Sequence, residues 1–163
     1  MMTITVGTVL PEATLLRMGD NGAEGVSLAS RLKGRNVVIF GLPGAFTSTC
    51  TTAHVPSFMR VTEKLAAKGV DEVICLSVND PFVMQAWGDS TGAAAHGISF
   101  LADADASFTK AAGLAFSVPH LGFFDRSKRY ALYAVDGVVK VLNMGKETGA
   151  CEISGGEAML AAI

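Results

Sequence analysis

The sequence predicts an α/β domain with a central mixed β-sheet and flanking helices. Apolar runs of strand length alternate with helical patterns over much of the chain, which is typical of parallel strands joined by helical crossovers. A two-residue turn, Asp136-Gly137, then joins two further apolar runs into an antiparallel hairpin. Of the 163 residues, 50% are hydrophobic and 17% are charged, so we expect one folded domain over residues 1–163.

A continuous apolar run at residues 36–42 predicts a strand that is covered on both faces. Residues 72–78 predict a second strand of the buried type, and residues 98–101 a third strand. Between the first two strands, a helix is expected from about Thr49 to Gly69, where the glycine ends it. The buried stripe of this helix consists of Val55, Phe58, Thr62 and Leu65.

Turn and cap residues predict the next two helices. Asn79-Asp80-Pro81 is an Asx cap with proline at the first helical position, and it begins a helix over residues 82–87. A turn at residues 103–105 leads into a short helix over residues 108–112.

The last elements are a hairpin and a helix. Residues 130–135 and 138–142 flank the Asp136-Gly137 turn, and Ser154 with Glu157 forms a capping-box pattern for a helix that ends at Ile163. The complete order is that of a thioredoxin-like core with an inserted strand and helix.

Composition excludes several classes of function. A net charge of −2 gives no electrostatic reason to expect nucleic acid or an anionic membrane as partner. Mean hydropathy is +0.40, but the most apolar stretch, residues 37–46, is interrupted by Pro43 and is too short to span a bilayer. No basic region followed by an apolar run begins the sequence, so we expect a cytoplasmic protein.

Cysteine and histidine usage narrows the chemistry further. Three cysteines, at 50, 75 and 151, are too few for a disulfide framework, and no CxxC pair is present. The histidines at 54, 96 and 120 lack the spacing of metal ligands, so we expect neither a metal nor any other cofactor.

Cys50 has the position of a reactive thiol, because it follows a buried strand at the beginning of a helix. Unpaired backbone N–H groups and the helix dipole favour the thiolate there, and they lower the usual cysteine pKa of about 8.5. Thr47 precedes Cys50 by three residues, so its hydroxyl can return to the sulfur, and Pro43 restricts and shields the loop. A small buried core cysteine is the alternative interpretation.

The same residues carry a family resemblance. Pro43-x3-Thr47-x2-Cys50 matches the PxxxTxxC signature of peroxiredoxins, and the likeness extends over essentially the whole chain. Further segments are similar to the type II, peroxiredoxin-five-like subfamily: PGAFT at 43–47, VNDPF at 78–82, AWG at 86–88 and LAD at 101–103. One departure is Ser48, where the subfamily usually has a second proline.

The resemblance implies a thiol-dependent peroxidase without metal, haem or flavin. Cys50 would reduce a hydroperoxide and become a sulfenic acid, with Arg129 donating hydrogen bonds to the thiolate and the peroxide. Arg126 and Lys128 are nearby competitors that we expect to stay on the surface. Thioredoxin, glutaredoxin or glutathione would restore the thiol, and the phenylalanine-rich segment 116–124 would border the pocket and a homodimer contact.

The sequence leaves three candidates for the thiol that resolves the sulfenic acid. Cys151, in a polar loop before the last helix, resembles the resolving cysteine of vertebrate members and ranks slightly above an external thiol. Cys75 matches a second cysteine of plant members, but its mid-strand position favours core packing. We expect His54 to be structural or at an interface. Two alternative functions are a Cys50-dependent acyl transferase or hydrolase, and a redox sensor or binding module that docks a partner through a thioredoxin-like fold.

Overall fold

The computed structural model describes residues 3–145 and 153–163. Two β-sheets form within these residues, a seven-stranded sheet and a separate two-stranded one. The strands in chain order are β1 (Thr14–Gly19), β2 (Gly22–Ser27), β3 (Asn36–Gly41), β4 (Glu72–Ser77), β5 (Ile98–Ala102), β6 (Ala115–Val118), β7 (Phe123–Ser127), β8 (Tyr130–Val135) and β9 (Val138–Met144).

The large sheet is mixed, as predicted. Its order is β2-β1-β5-β4-β3-β8-β9. The three predicted central strands β3, β4 and β5 pair in parallel, and β8 joins β3 on the other side in antiparallel register. The turn between β8 and β9 has positive φ at Asp136 (50°) and Gly137 (79°), which is the two-residue hairpin that the sequence predicts.

Helices cover both faces of the large sheet. They are α1 (Leu28–Leu32), α2 (Val55–Met59), α3 (Thr62–Ala67), α4 (Pro81–Thr91), α5 (Ser107–Ala111) and α6 (Gly156–Ala162), with a π-helical turn over Cys50–His54 and 3₁₀ turns over Ala94–His96 and Pro119–Leu121. None of these helices, in the part of the chain described, is long and apolar enough to cross a membrane.

Strand β3 divides the core into two apolar layers. Val37 and Ile39 point into one layer, and Val38 and Phe40 point into the other, and all four side chains are fully buried. This confirms the prediction that a continuous apolar run is a strand covered on both faces.

The predicted helix over residues 49–69 is divided into segments. Pro56 has no N–H to donate to the preceding turn, and the chain before it is wound as the wider π-helical turn Cys50–His54. A second break falls at Arg60 and Val61, before α3 begins. Gly69, with a φ of 94°, ends the segment as predicted.

The capping box predicted for the last helix is wrong. Gly155 is the N-cap residue of α6 and supplies no side chain. The Ser57 hydroxyl of the neighbouring segment accepts a hydrogen bond from the Gly156 N–H at 2.9 Å, and the Glu157 carboxylate pairs with Arg60 at 2.9 Å. A partner from elsewhere in the chain therefore does what Ser154 was expected to do.

The sequence prediction omitted two hairpins. The sequence predicts no element before residue 36, where β1, β2 and α1 lie, and it predicts a loop where β6 and β7 form. Most of β2 is solvent-exposed at the edge of the sheet, so its residues show no apolar alternation.

Candidate active site

The loop at the carboxyl end of β3 leads directly into a helical segment. Pro43 and Gly44 are buried, and helical backbone begins at residue 48 and passes into the π-helical turn that starts at Cys50. The backbone of Cys50 therefore lies where the sequence predicts it, in the first turn of a helix that follows a buried central strand. Parallel α/β sheets place their ligands at this edge.

The Thr47 hydroxyl is engaged within the loop itself. Its Oγ1 donates to the carbonyl oxygen of Gly44 at 2.7 Å, so the hydroxyl hydrogen points back along the loop. A hydroxyl that has given its hydrogen to one partner still has lone pairs for another. In this state Thr47 is therefore an acceptor toward a ligand rather than a donor toward sulfur.

Asn79 holds the same loop from the adjacent strand. Its Oδ1 accepts hydrogen bonds from the Ala45 N–H at 3.0 Å and from the Ser77 hydroxyl at 2.7 Å. Within the predicted Asn79-Asp80-Pro81 cap, Asp80 is the residue that caps α4, and its side chain accepts a hydrogen bond from the Val83 N–H at 2.9 Å. Asn79 was thus missed as a site residue, although its position after β4, at the same edge of the sheet as the loop, is a signal that could have identified it.

Arg126 corrects a prediction, because it does not remain on the surface. This half-buried side chain donates from Nη1 to the Pro43 carbonyl oxygen at 3.1 Å, and its guanidinium carbon lies 5.1 Å from the centroid of the Phe123 ring. A Cβ on Gly44 would lie 2.5 Å from Arg126 Nη1, so a side chain at this position would shift the guanidinium away from where it now lies. Lys128 is exposed, as expected.

Arg129 is buried beside the helical segment of Cys50. It precedes Tyr130, which pairs with Gly41 at the end of β3, so the sheet register brings it to the loop. Only 4% of Arg129 is exposed, and its Nη1 lies 3.0 Å from Nδ1 of His54. The predicted residues Pro43, Thr47 and Arg129 and the backbone of Cys50 are therefore brought to one edge of the sheet.

His54 is completely buried and contacts two distant segments. Its Nδ1 meets Arg129, and its Nε2 lies 2.9 Å from the carbonyl oxygen of Ser154. Burial, and next the positive charge of Arg129, lower the pKa of His54 from 6.5 to about 3, against a smaller opposing effect of the Ser154 carbonyl. The imidazole is therefore neutral at physiological pH, and it lies inside the domain with a partner at each ring nitrogen.

Cys75 and Cys151 are not placed alike. Cys75 lies in β4, opposite Phe40 and Phe100 on the neighbouring strands, and is fully buried. Cys151 lies outside the described residues. Among the residues that are described, no group of three or more His, Cys, Asp or Glu side chains is arranged to hold a metal ion.

A mixed sheet whose central strand leads through a proline loop to a cysteine at a helix start defines the thioredoxin-like class of thiol proteins. A family model described as Redoxin matches residues 5–160. Peroxiredoxin-2C of Oryza sativa subsp. japonica is 43% identical over 164 residues, which cover 100% of both chains. The chain belongs to the peroxiredoxin family, in its type II branch, and is a thiol-dependent peroxidase.

Two further relatives agree with this assignment. The chloroplastic Peroxiredoxin-2E-2 of Oryza sativa subsp. japonica is 44% identical over 165 residues, which cover 99% of this chain and 73% of the relative. The crystal structure of reduced Prx3 from Vibrio vulnificus in complex with hydrogen peroxide has a TM-score of 0.91 and 42% identity, with 98% of this chain and 99% of that chain covered.

Proposed function

We propose that this chain reduces hydrogen peroxide and alkyl hydroperoxides with Cys50 as the peroxidatic nucleophile. The observation that carries the proposal is the convergence of the Pro43–Thr47 loop and the buried Arg129 on the helical turn that Cys50 begins. The similarity to a Vibrio vulnificus Prx3 whose structure holds hydrogen peroxide supports the choice of substrate.

In the proposed reaction the Cys50 thiolate attacks one oxygen of ROOH. An S–O bond forms as the O–O bond breaks, and the departing RO⁻ takes up a proton and leaves as alcohol or water. Sulfur is oxidised to a sulfenic acid while the peroxide is reduced. Negative charge spreads from sulfur onto the departing oxygen, and the permanently charged Arg129 guanidinium stabilises it.

Thr47 has a defined part in this reaction. Because its hydrogen is committed to the Gly44 carbonyl, its oxygen accepts the hydrogen of the peroxide O–H and orients the peroxide. Thr47→Ser should therefore preserve most of the peroxide reactivity, whereas Thr47→Val should lose it. Equal rates for the two variants would remove this role from Thr47.

Single-turnover oxidation tests the main proposal. Trp87 is the only tryptophan, and its Nε1 donates to the Thr51 hydroxyl at 3.0 Å, so its fluorescence reports on the turn next to Cys50. Stopped-flow mixing with hydrogen peroxide should show fast oxidation in the wild type, none in Cys50→Ser and slow oxidation in Arg129→Ala. A wild-type rate no faster than that of an ordinary thiol would reject the peroxidase assignment to Cys50.

Reactivation needs a second thiol, and we propose Cys151 slightly ahead of an external thiol. Cys75 ranks third, because it is fully buried in β4 and its sulfur could form a disulfide with Cys50 only if the strand were disrupted. Thioredoxin, or glutathione with glutaredoxin, then restores the reduced enzyme. Mass spectrometry of the peroxide-treated protein distinguishes a 50–151 bridge, a 50–75 bridge and a persistent sulfenic acid.

We further propose that one such domain acts as a homodimer in the cytoplasm. Three apolar side chains, one in the loop before Cys50 and two in the segment from the 3₁₀ turn to β7, are more than half exposed: Phe46 (57%), Leu121 (60%) and Phe124 (62%). Apolar surface of this kind favours a protein interface. Sedimentation of the wild type against Leu121→Glu tests the dimer, and imaging of a tagged chain tests the location.

The geometry gives no support to a Cys50-dependent acyl transferase. That chemistry requires a histidine that can take a proton from the nucleophile. Both ring nitrogens of His54 already meet other partners, and burial keeps the pKa of this histidine at about 3.

A further inference from the structure

The buried ring of His54 connects two parts of the chain that are far apart in sequence. Arg129 is 75 residues away and stands before β8, whereas Ser154 is 100 residues away and stands before α6. Neither contact belongs to the regular hydrogen bonding of a helix or strand. The two contacts therefore need a reason beyond secondary structure.

Donor and acceptor chemistry fixes the state of this ring. A guanidinium can only donate, so Nδ1 must accept the hydrogen bond from Arg129. A carbonyl oxygen can only accept, so the single ring proton lies on Nε2 and is donated to Ser154. The result is a directed chain of hydrogen bonds from Arg129 through His54 to the Ser154 carbonyl, in which each bond strengthens the next.

Aromatic packing restricts rotation of the same ring. The His54 centroid lies 5.2 Å from that of Phe40 and 5.7 Å from that of Phe58. These two phenyl rings stack on each other at 4.1 Å. Because the ring is packed on β3 and α2 together, its Nδ1 presents one direction to Arg129.

We propose that His54 is a positioning residue of the peroxidase reaction, which holds the Arg129 guanidinium through Nδ1 while the Ser154 carbonyl selects the tautomer that can do so. The inference rests on the proposed role of Arg129 toward Cys50. It also explains why the histidine stands at the end of the π-helical turn that begins with Cys50, since one turn then carries the nucleophile and the anchor of its arginine.

Substitutions at position 54 test the contributions of the two ring nitrogens separately. His54→Asn retains an acceptor close to the position of Nδ1 but does not reach Ser154, whereas His54→Phe retains the ring packing and loses both contacts. We expect His54→Asn to oxidise with hydrogen peroxide within about threefold of the wild-type rate, and His54→Phe to be slower by at least about tenfold. The pKa of the Cys50 thiol, followed by thiolate absorbance, should rise in His54→Phe and change little in His54→Asn.

Ser57→Ala is the matched control for loosening of this region. The Ser57 hydroxyl accepts from the Gly156 N–H and donates to the main-chain carbonyl oxygen of His54 at 2.6 Å, whereas the imidazole keeps its own two partners, so the Ser57→Ala variant should keep the wild-type oxidation rate. Urea unfolding shows whether each variant is folded in the assay. If His54→Phe does not fold, His54→Gln replaces it, since the longer side chain moves its amide away from the Nδ1 position, and the same slow oxidation is expected.

The double variant with Arg129→Gln completes the test. If His54 acts through Arg129, then His54→Phe adds no further slowing to Arg129→Gln. Equal rates in His54→Asn and His54→Phe, or additive effects in the double variant, would overturn the positioning role while the peroxidase remains. Turnover that persists in Cys50→Ser would instead remove the proposed function, and an Arg129→Gln variant as fast as wild type would remove the premise about Arg129.

Discussion

Acidification should destabilise this protein through His54 before it reaches the range in which carboxylates titrate. The folded protein holds this histidine neutral with a pKa of about 3, against 6.5 for an unperturbed side chain. Between these two values the unfolded chain binds a proton that the folded chain does not. The stability that His54 contributes is therefore complete above pH 6.5 and is lost progressively as the pH falls toward 3.

The magnitude follows from the shift. Each pH unit within this window costs about 1.4 kcal/mol per proton, so acidification from pH 7 to pH 5 should remove about 2 kcal/mol through this residue, and the full window about 5 kcal/mol. Because a domain of this size is stable by about 5–15 kcal/mol in total, the loss is large enough to shift an unfolding midpoint.

Urea unfolding at pH 7, 6 and 5, followed by the fluorescence of the buried Trp87, measures this loss. His54→Phe should start from a lower stability at pH 7 and then lose about 2 kcal/mol less than the wild type on the way to pH 5. Ser57→Ala weakens the same region but keeps His54, so it should be less stable at every pH with the wild-type slope. Parallel slopes for wild type and His54→Phe would refute the reasoning.

Three further predictions concern the loop and the core. Arg126→Gln should slow Cys50 oxidation about tenfold, through loss of a charge-assisted hydrogen bond to the loop, while the exposed Lys128→Ala leaves the stopped-flow rate unchanged. Asn79→Ala should lower the oxidation rate, and it should lower the free energy of unfolding by about 1–3 kcal/mol, because the Ala45 N–H loses its acceptor. An oxidation rate equal to that of the wild type would contradict this. Cys75→Ala should keep full turnover with thioredoxin and cost about 1 kcal/mol of stability by urea unfolding, whereas turnover that stops after one peroxide would make this cysteine the resolving thiol.

Much of the central sheet could be predicted because strands that are buried on both faces have a mostly apolar sequence. Strands β3, β4 and β5 are mostly apolar, and the Asp136-Gly137 turn has positive φ at both positions. The hairpin of β1 and β2 leaves a weaker record, since β2 contains small and mostly exposed residues. Its Asn21-Gly22 dipeptide, with a φ of 105° at the glycine, was the available turn signal.

For the helix after Cys50, apolar periodicity predicts the buried residues correctly but not the helix geometry. Val55, Phe58 and Leu65 are buried as their spacing predicts. A proline in the same stretch changes the hydrogen bonding without changing which residues are apolar, so periodicity alone gives no sign of the π-helical turn. That turn nevertheless decides which side chain stands one turn after Cys50.

The site residues also differ in how far the sequence alone could predict them. Pro43, Thr47 and Cys50 are neighbours in sequence, so their spacing carries the prediction. Arg126 and His54 act through partners 83 and 75 residues away, and no local pattern distinguishes them from a strand-end charge or a core histidine. The difference is chemical as well as topological. A histidine becomes an acceptor for an arginine only when a second group takes its one proton, so the role of His54 exists only where β8, α2 and the approach to α6 meet.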